Sequence, residues 1–294
     1  MPPRLEPLLR DPRHYQIAVL SCLLAYGVLV LDFDVRPLNA LVLFGTALLT
    51  QWLGSRLTGL ARVDLRSPWI SSLSLCLLFR TESPLWAALA AFVSIGSKFA
   101  LRSRGKHIFN PTNLGIVVCL LLTDAAWVSP AQWGSGLTFA FLMACAGGLV
   151  VNRAARADVT LAFLVSYAAI LFGRALWLGQ RWAVPLHQLE SGALVLFAFF
   201  MISDPKTTPD RRAGRIAFAV LVALGAALVQ FVLYRTNGLL WSLAVLSPLV
   251  PLIDRLLPAA RYVWPGEKAR ATPISLPELN APSFGPVPSL GGKR

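Results

Sequence analysis

The chain alternates long apolar stretches with short, mostly basic loops, and this alternation limits what it can fold into. A helix needs about 20 apolar residues to cross a bilayer core of ~30 Å. Only 14% of the residues are charged, against roughly 25% in soluble domains. Because so little polar surface cannot cover a soluble globule, the composition excludes soluble and disordered chains. It indicates a protein that crosses a membrane several times.

Seven apolar stretches approach the length of a membrane-spanning helix, and three are clearly shorter. The long ones are Tyr15–Leu31, Leu38–Gly54, Pro84–Leu101, Gly134–Val151, Asp158–Leu178, Gly214–Tyr234 and Gly238–Ile253. The short ones are Trp69–Phe79, Leu114–Leu122 and Ser191–Ile202. A helix of about 11 residues covers only ~16 Å. We therefore interpret the short segments as broken or half-inserted helices whose free backbone groups are satisfied inside the protein.

The lysines and arginines are distributed unevenly between the loops. If the N-terminus is cytoplasmic and all ten segments cross, 21 basic residues lie on the cytoplasmic side, 5 lie on the other side and Lys98 lies near the interface. The net charge of +13 is thus interpreted as a positive-inside signal. This interpretation predicts a multi-pass protein of a bacterial inner membrane, with both termini cytoplasmic, with membrane lipid as a partner and without a nucleic-acid partner.

The ten segments divide into two sets of five. Because five is odd, the second set starts on the opposite side of the membrane. In both sets the third segment is short and follows two long ones. We therefore predict an all-α membrane fold of two inverted five-helix repeats, residues 15–124 and 134–257. They lie between a cytoplasmic N-terminus, residues 1–14, and a disordered cytoplasmic tail, residues 258–294.

A first polar stretch, Gly105–Gly115, opens one of the short helices. Asn110 or Thr112 could cap its first turn, with Pro111 just inside. The free N–H groups of such a helix start suit a phosphate or another anionic group. The alternative is an ordinary capped helix in a basic loop, and His107 just before it is interpreted as part of that loop surface.

A second polar stretch, Met201–Pro209, lies where the third apolar segment of the second set ends. Its Asp204 could bind a cation or accept a hydrogen bond from a ligand hydroxyl. The alternative is a turn in which Asp204 pairs with Lys206 or Arg211, because acidic residues close to a membrane often have such partners.

The two stretches resemble motifs of a known family, the membrane subunits RnfD and NqrB of the Rnf and sodium-pumping NADH:quinone oxidoreductase complexes. One family motif has the form FNPxxxG and stands here as Phe109–Gly115. The other has the form FFMxxDPxTxP and stands here as Phe199–Pro209. Lys98 is similar to the lysine that precedes the first motif, and the resemblance spans roughly residues 60–255.

The resemblance implies a fold and a function. The fold is ten transmembrane helices in two inverted repeats, similar to urea transporters. The function is that of a flavin-binding subunit that passes electrons within a membrane complex of redox subunits, without catalytic residues or metal ligands of its own. The motif positions are the implied cofactor-binding residues: Lys98, Asn110, Pro111, Thr112, Asn113, Gly115, Asp204, Pro205, Thr207 and Thr208.

One motif of the family is missing from this chain. Family members carry an FMN on a threonine of an S/T-G-A-T motif between the two halves, and no such sequence occurs here. We therefore expect FMN or riboflavin to bind non-covalently. In size the chain is similar to a shorter branch of the family that includes membrane proteins encoded with enediyne biosynthesis genes. Transport of a small solute or metabolite on the same scaffold is the alternative function.

Overall fold

The computed structural model describes residues 11–60, 63–129 and 137–264. These residues are mostly helical, so the predicted class of a helical membrane protein is confirmed. By length and composition, four of the described helices could cross a membrane: Pro37–Leu57, Ala157–Trp177, Arg212–Phe231 and Gly238–Leu256. The pair Ala183–Leu189 and Gly192–Met201, bent by 49°, could form a fifth span.

The first half of the chain consists of helices joined by short strands. Its helices are α1 (Pro12–Leu29), α2 (Pro37–Leu57), α3 (Arg66–Leu78), α4 (Pro84–Ala100) and α5 (Pro111–Leu122). Its strands are β1 (Phe79–Thr81), β2 (Arg102–Ser103), β3 (Lys106–His107) and β4 (Ala126–Val128). Four of these helices, α1, α2, α4 and α5, have proline as their first residue. Proline is favoured there because that position needs no N–H donor.

The described residues of the second half form helices joined by turns and contain no strand. It contains α6 (Leu137–Arg153), α7 (Ala157–Trp177), α8 (Ala183–Leu189), α9 (Gly192–Leu196), a π-helix (Phe197–Met201), α10 (Arg212–Phe231), α11 (Gly238–Leu246), a 3-10 turn (Ser247–Leu249) and α12 (Val250–Leu256). The predicted tail lies outside the described residues from position 265 onward. Residues 258–264 have no regular secondary structure. The predicted N-terminal loop ends slightly earlier than expected, because α1 already begins at Pro12.

Two predicted half-helices are followed by strands, which corrects the purely helical prediction for this part of the chain. Strand β1 follows α3 directly and pairs antiparallel with β4, with Phe79 opposite Val128. The side chain of Arg80 donates through Nη1 to the carbonyl oxygens of Cys76, at 2.7 Å, and Phe79, at 3.0 Å. Strand pairing and this arginine therefore satisfy the backbone groups that are freed where α3 ends.

The main helix contacts follow the same order in both halves. In the first half α2 packs on α4, α4 on α5, and α1 on α3. In the second half α7 packs on α10, α10 on α11, and α6 on α9 and the π-helix. Between the halves, α1 contacts α6 and α5 contacts α11. The first helices of the two halves thus contact each other, and so do α5 and α11.

Glycines allow the fourth and fifth segments of each half to approach closely. A Cβ on Gly115 in α5 would overlap Ser94 Oγ and the Ala90 carbonyl oxygen of α4. A Cβ on Gly238 in α11 would lie 2.6 Å from the Ala226 carbonyl oxygen of α10. Since real Cβ atoms do not approach that closely, only glycine permits these helix contacts.

Candidate functional site

Asn110 connects the two motif segments. Its Oδ1 accepts a hydrogen bond from Asn113 N at 3.1 Å and so caps the first turn of α5. Its Nδ2 donates to the Met201 carbonyl oxygen at 3.2 Å, at the end of the π-helix. Of the two candidate cap residues, Asn110 and not Thr112 caps the helix. The same side chain holds the first motif against the second.

Asn113 has one buried hydrogen-bond acceptor that lacks a partner among the described residues. The residue is only 1% exposed, and its Nδ2 donates to the Leu240 carbonyl oxygen of α11 at 3.2 Å. Within the described residues, Asn113 Oδ1 has no hydrogen-bond partner, and neither does the buried Ser94 Oγ of α4. A buried polar atom without a partner costs about 1–3 kcal/mol. These two oxygens are therefore candidate contacts for a ligand.

Lys98 is a buried cation near the end of α4. Its Nζ donates to Gln51 Oε1 at 2.7 Å and to Ser67 Oγ at 2.8 Å. Both acceptors are neutral, so their hydrogen bonds satisfy the ammonium group without cancelling its charge. A buried charge of this kind indicates a candidate functional site in a membrane protein.

Asp204 organises the second motif as a turn. Its Oδ1 accepts a hydrogen bond from Lys206 N at 3.0 Å. Its backbone oxygen accepts from Thr207 N and Thr208 N, both at 3.1 Å, and from Thr208 Oγ1 at 3.0 Å. Among the described residues no cation lies within ion-pair distance of its carboxylate. The turn that the sequence analysis gave as an alternative is therefore present, but Asp204 forms no ion pair with Lys206 or Arg211.

The environment of Asp204 favours its protonated form. Burial raises the pKa of Asp204, and the Lys206 backbone hydrogen bond with the charges of Lys206, Arg156 and Lys98 only partly offsets it. Arg156 reaches this turn, because its Nε donates to Thr208 Oγ1 at 3.3 Å. A buried carboxyl group whose pKa is raised in this way is a candidate functional group.

Side chains bind the carbonyl groups of the π-helix. Thr160 Oγ1 donates to the Ala198 carbonyl oxygen at 2.8 Å, and Ser203 Oγ donates to that of Phe199 at 2.6 Å. Together with the bond from Asn110, these contacts fix the end of the predicted short segment Ser191–Ile202. π-Helices occur frequently at functional sites, so this one marks the second motif as a candidate.

The remaining predicted site residues pack against their neighbours. Pro111 and Thr112 are buried in the first turn of α5, and Pro205 is buried in the Asp204 turn. Gly115 lies at the contact between α4 and α5. The structure thus brings the two motifs together through Asn110 and Met201, while these residues shape the backbone around that contact.

Two Asp-x-Arg sequences form a ring of ion pairs that the sequence analysis missed. Arg13 binds Asp11 at 2.7 Å and Asp64 at 2.6 Å, and Arg66 binds Asp11 at 2.6 Å and Asp64 at 2.8 Å. Each aspartate also accepts from the backbone N of its own arginine, at 3.0 and 3.1 Å. Asp204 accepts a hydrogen bond from Lys206 N in the same way. The sequence signal for these contacts is therefore the recurrence of an aspartate two positions before an arginine or a lysine.

The loop before α5 is a tight β-hairpin. Strands β2 and β3 pair with Arg102 opposite His107 and Ser103 opposite Lys106. The two residues at its tip both have positive φ, 50° for Arg104 and 78° for Gly105, as in a type I′ turn. Glycine adopts this conformation readily, but arginine does so at a cost.

His107 is not loop surface, which corrects the sequence interpretation. It is partly buried. Burial, with the charges of Lys98, Arg102 and Lys206, lowers its pKa to about 3. The ring is therefore neutral near pH 7. Its Nδ1 has no hydrogen-bond partner among the described residues. Of these charged groups, Lys206 comes from a distant segment of the chain, which the local sequence could not show.

Comparison with known proteins connects the second half of the chain to a family. Residues 124–262 match the model of the NQR2, RnfD, RnfE family. Similar relatives are the ion-translocating oxidoreductase complex subunits D of Escherichia coli (strain K12), of Escherichia coli O9:H4 (strain HS) and of Shigella boydii serotype 18. Each is 32% identical over 123 residues, which are 41% of this chain and 35% of the relative.

The chain spans about a third of the length of the curated relatives it matches. The family resemblance predicted from the motifs is confirmed by these comparisons. The matched range includes the Asp204 motif, while the Asn110 motif lies before it. The hydrogen bond from Asn110 to Met201 is therefore a contact between the matched part and the preceding helices.

Proposed function

We propose that this protein is a membrane electron-transport subunit of the RnfD and NqrB type that binds flavin non-covalently. The observation that carries the proposal is the hydrogen bond between Asn110 Nδ2 and the Met201 carbonyl oxygen, because it joins the two segments that resemble the family motifs. The family match of residues 124–262 supports a redox role, as do relatives named as ion-translocating oxidoreductase subunits. Other redox subunits of the membrane are its proposed partners.

We propose ten membrane segments in two inverted repeats, with both termini in the cytoplasm of a bacterial inner membrane. The matching order of helix contacts in the two halves supports this arrangement, as does the contact of α1 with α6 and of α5 with α11. The distribution of 21 basic residues on one side and 5 on the other supports the orientation.

The open polar atoms fit the polar edge of a flavin ring, which carries an imide N–H and two carbonyl groups. Asn113 Oδ1 is a buried acceptor for the N–H, and Ser94 Oγ can donate or accept. The Lys98 ammonium stabilises negative charge on a reduced ring or on an FMN phosphate. When bound, the flavin supplies one- and two-electron redox chemistry.

The other motif residues position this site. Asn110 keeps the start of α5 beside the end of the π-helix. Thr207 and Thr208 fix the turn at Asp204 through its backbone oxygen. Asp204, with its raised pKa, is the group that would hold a proton when negative charge arrives nearby.

The absorbance spectrum of the purified native protein tests the proposal. We expect a yellow protein that releases FMN or riboflavin on denaturation. Asn113→Ala removes a proposed contact and should lower the bound flavin several-fold. Asn152→Ala, at an exposed position at the end of α6, is the matched control and should retain it. Colourless native protein would contradict flavin binding and favour the transport of a small solute or metabolite.

Non-covalent attachment has its own test. The chain lacks an S/T-G-A-T sequence to accept FMN. After co-expression with a flavin transferase, we expect no fluorescent band at the mass of the chain on a denaturing gel. A fluorescent band that a single Thr→Ala variant abolishes would show covalent attachment and overturn this part of the proposal.

A further inference from the structure

A cleft of about 160 Å³ lies beside the β2–β3 hairpin and is lined by none of the proposed flavin contacts. Its walls come from three places in the chain: the hairpin, the loop before α10, and α12 with the residues after it. The charged and titratable residues that line it are Arg104, Lys106, His107, Asp210, Asp254 and Arg261. We call this the hairpin cleft.

The two carboxylates of the hairpin cleft are already occupied. Lys106 Nζ binds Asp210 Oδ1 at 3.0 Å and Asp254 Oδ2 at 2.8 Å. The other oxygen of Asp254 accepts a hydrogen bond from Asp210 N at 2.8 Å. These contacts fix the hairpin against the start of α10 and against α12. The aspartates therefore account for the position of Lys106 and are not available to a bound cation.

Two guanidinium groups of the hairpin cleft remain available. Arg104 and Arg261 are both exposed, and neither has a hydrogen-bond or ion-pair partner in the part of the chain that the structure describes. Arg261 Nη1 lies 3.7 Å from the position that a Cβ of Gly105 would take, so this side chain crosses the hairpin tip. The cleft holds three cations against two carboxylates, and its excess positive charge lies on these two arginines.

His107 adds a neutral acceptor to the same cleft. Its Nδ1 is buried and has no hydrogen-bond partner among the described residues. Two guanidinium groups beside an unpaired acceptor match an anion that also carries a hydroxyl group. A singly protonated phosphate and the glycerol phosphate of a lipid headgroup share that chemistry.

We propose that the hairpin cleft binds a phosphate group between Arg104 and Arg261, with His107 accepting a hydrogen bond from the ligand. Arginine is suited to phosphate because its planar fork donates two parallel hydrogen bonds. Basic pockets between transmembrane helices bind lipid headgroups in this way, and soluble phosphate compounds offer the same group. The proposal is independent of flavin binding, since no proposed flavin contact lines the cleft.

The positive-inside rule alone does not explain why Arg104 and Arg261 line the hairpin cleft. Arg56 is exposed at the end of α2, on the same predicted side, and lies 5.7 Å from the Trp52 ring without lining the cleft. Arg104, by contrast, occupies a backbone conformation that disfavours a side chain and still reaches the cleft.

The test is the thermal stability of the full chain in detergent, titrated with inorganic phosphate at constant ionic strength. A second arm uses the chain reconstituted in phosphatidylcholine vesicles with increasing phosphatidylglycerol. A ligand that binds only the folded state raises the unfolding temperature in proportion to its occupancy. We expect at least one of the two probes to stabilise the native protein.

Three variants give the test its specificity. Arg104→Gly removes the cation and relieves the positive φ, so the hairpin should be no less stable without ligand. Arg261→Gln removes the second cation, and Arg56→Gln is the matched control outside the cleft. We expect Arg104→Gly and Arg261→Gln each to weaken phosphate binding by roughly tenfold or more, while Arg56→Gln binds like the native protein.

The outcomes separate the possible sources of the ligand. Stabilisation by inorganic phosphate that is lost in Arg104→Gly supports a soluble phosphate compound. Stabilisation by phosphatidylglycerol alone, lost in the same variant, supports a lipid headgroup. General exclusion of phosphate from protein surfaces would stabilise all four proteins equally. That result, or no stabilisation by either probe, would overturn the proposal.

Discussion

Asn110 uses the two ends of one amide group for two different tasks. Its oxygen caps α5, which any good N-cap residue can do. Its nitrogen binds the Met201 carbonyl oxygen, which requires a donor at this position. An aspartate would keep the first function and lose the second, so this residue allows the cap and the bridge to be measured separately.

We expect Asn110→Asp to lower the free energy of unfolding by about 1–3 kcal/mol, because the Met201 carbonyl oxygen would lose its donor and face a carboxylate. The measurement is thermal unfolding in detergent followed by circular dichroism. Asn152→Asp, at an exposed position, should change little. If both variants unfold like the native protein, the bridge does not contribute to stability.

Single residues show where sequence reasoning reaches its limit. The capping role of Asn110 follows from local spacing, since the next residue is Pro111 and a helix begins there. Its partner Met201 lies 91 positions further along the chain, and Leu240, the partner of Asn113, lies 127 positions from that residue. No local pattern encodes such contacts.

At the scale of elements, the ring of Asp11, Arg13, Asp64 and Arg66 joins the start of α1 to the start of α3. Burial alone would raise the pKa of Asp64, but the hydrogen bonds from Arg66 and the charge of Arg13 outweigh it and lower the pKa to about 2. The pKa of Asp11 is lowered because the same two arginines outweigh its burial.

These shifts predict a pH dependence of stability. Both folded-state pKa values lie below the ordinary value of 3.8, so the ring stabilises the fold above about pH 4. That stability is lost as the pH falls towards 2. At pH values below about 4, we expect the unfolding temperature of the native protein to decrease. The unfolding temperature of Asp64→Asn should depend less on pH.

An exposed ion pair provides the control for this experiment. Arg36 and Glu82 lie 3.3 Å apart with side chains that are 48% and 72% exposed, and such pairs contribute about 1 kcal/mol at most. Glu82→Gln should therefore show the same acid transition as the native protein. Equal pH profiles for the native protein and Asp64→Asn would contradict the role of the ring.

The contact between α4 and α5 depends on one glycine. We expect Gly115→Ala to destabilise the fold by about 1–3 kcal/mol or more, because its Cβ would meet the Ala90 backbone, which cannot move aside cheaply. Gly173→Ala in α7 has nothing within 4 Å of its Cβ and should be neutral or stabilising by up to about 1 kcal/mol. Thermal unfolding of the two variants makes the comparison, and equal stability would refute this packing role.

Helices of this chain were easier to predict than the segments that interrupt them. Prolines at positions 37, 84 and 111 mark helix starts directly. Strand β1 escaped prediction because Phe79 merely continues an apolar run. Its partner, β4, lies more than forty residues further along the chain. Pairing, and not local preference, makes these residues extended.

At the scale of the whole molecule, the proposed orientation predicts which loops share a side. Thr58, after α2, and Gln180, after α7, are both exposed. In a background without native cysteines, Thr58→Cys should react with an impermeant thiol reagent from the cytoplasmic side and Gln180→Cys from the opposite side. Thr236→Cys should behave like Gln180→Cys. Labelling of Thr58→Cys and Gln180→Cys from the same side would contradict the ten-segment topology.

The overall architecture was more predictable than the site. Segment lengths and loop charges are properties of long stretches, so they average over many residues and tolerate local errors. The hairpin cleft depends on Lys106 reaching Asp210 and Asp254, which are 104 and 148 positions away. Such a cluster exists only once the chain is folded, and its residues look like ordinary basic and acidic loop positions in the sequence.

Because of the strand pair β1–β4, the two halves differ in how easily their segments can change register. A slip of one residue between paired strands would turn every side chain to the opposite face, so α3 and α5 are fixed in height relative to each other. In the second half, a π-helix stands at the end of the third segment. Conversion of such a helix to an α-helix rotates the residues after it by roughly 100° and shifts them by ~1.5 Å. If the working protein changes shape, we expect the second half to change register while the first half stays fixed.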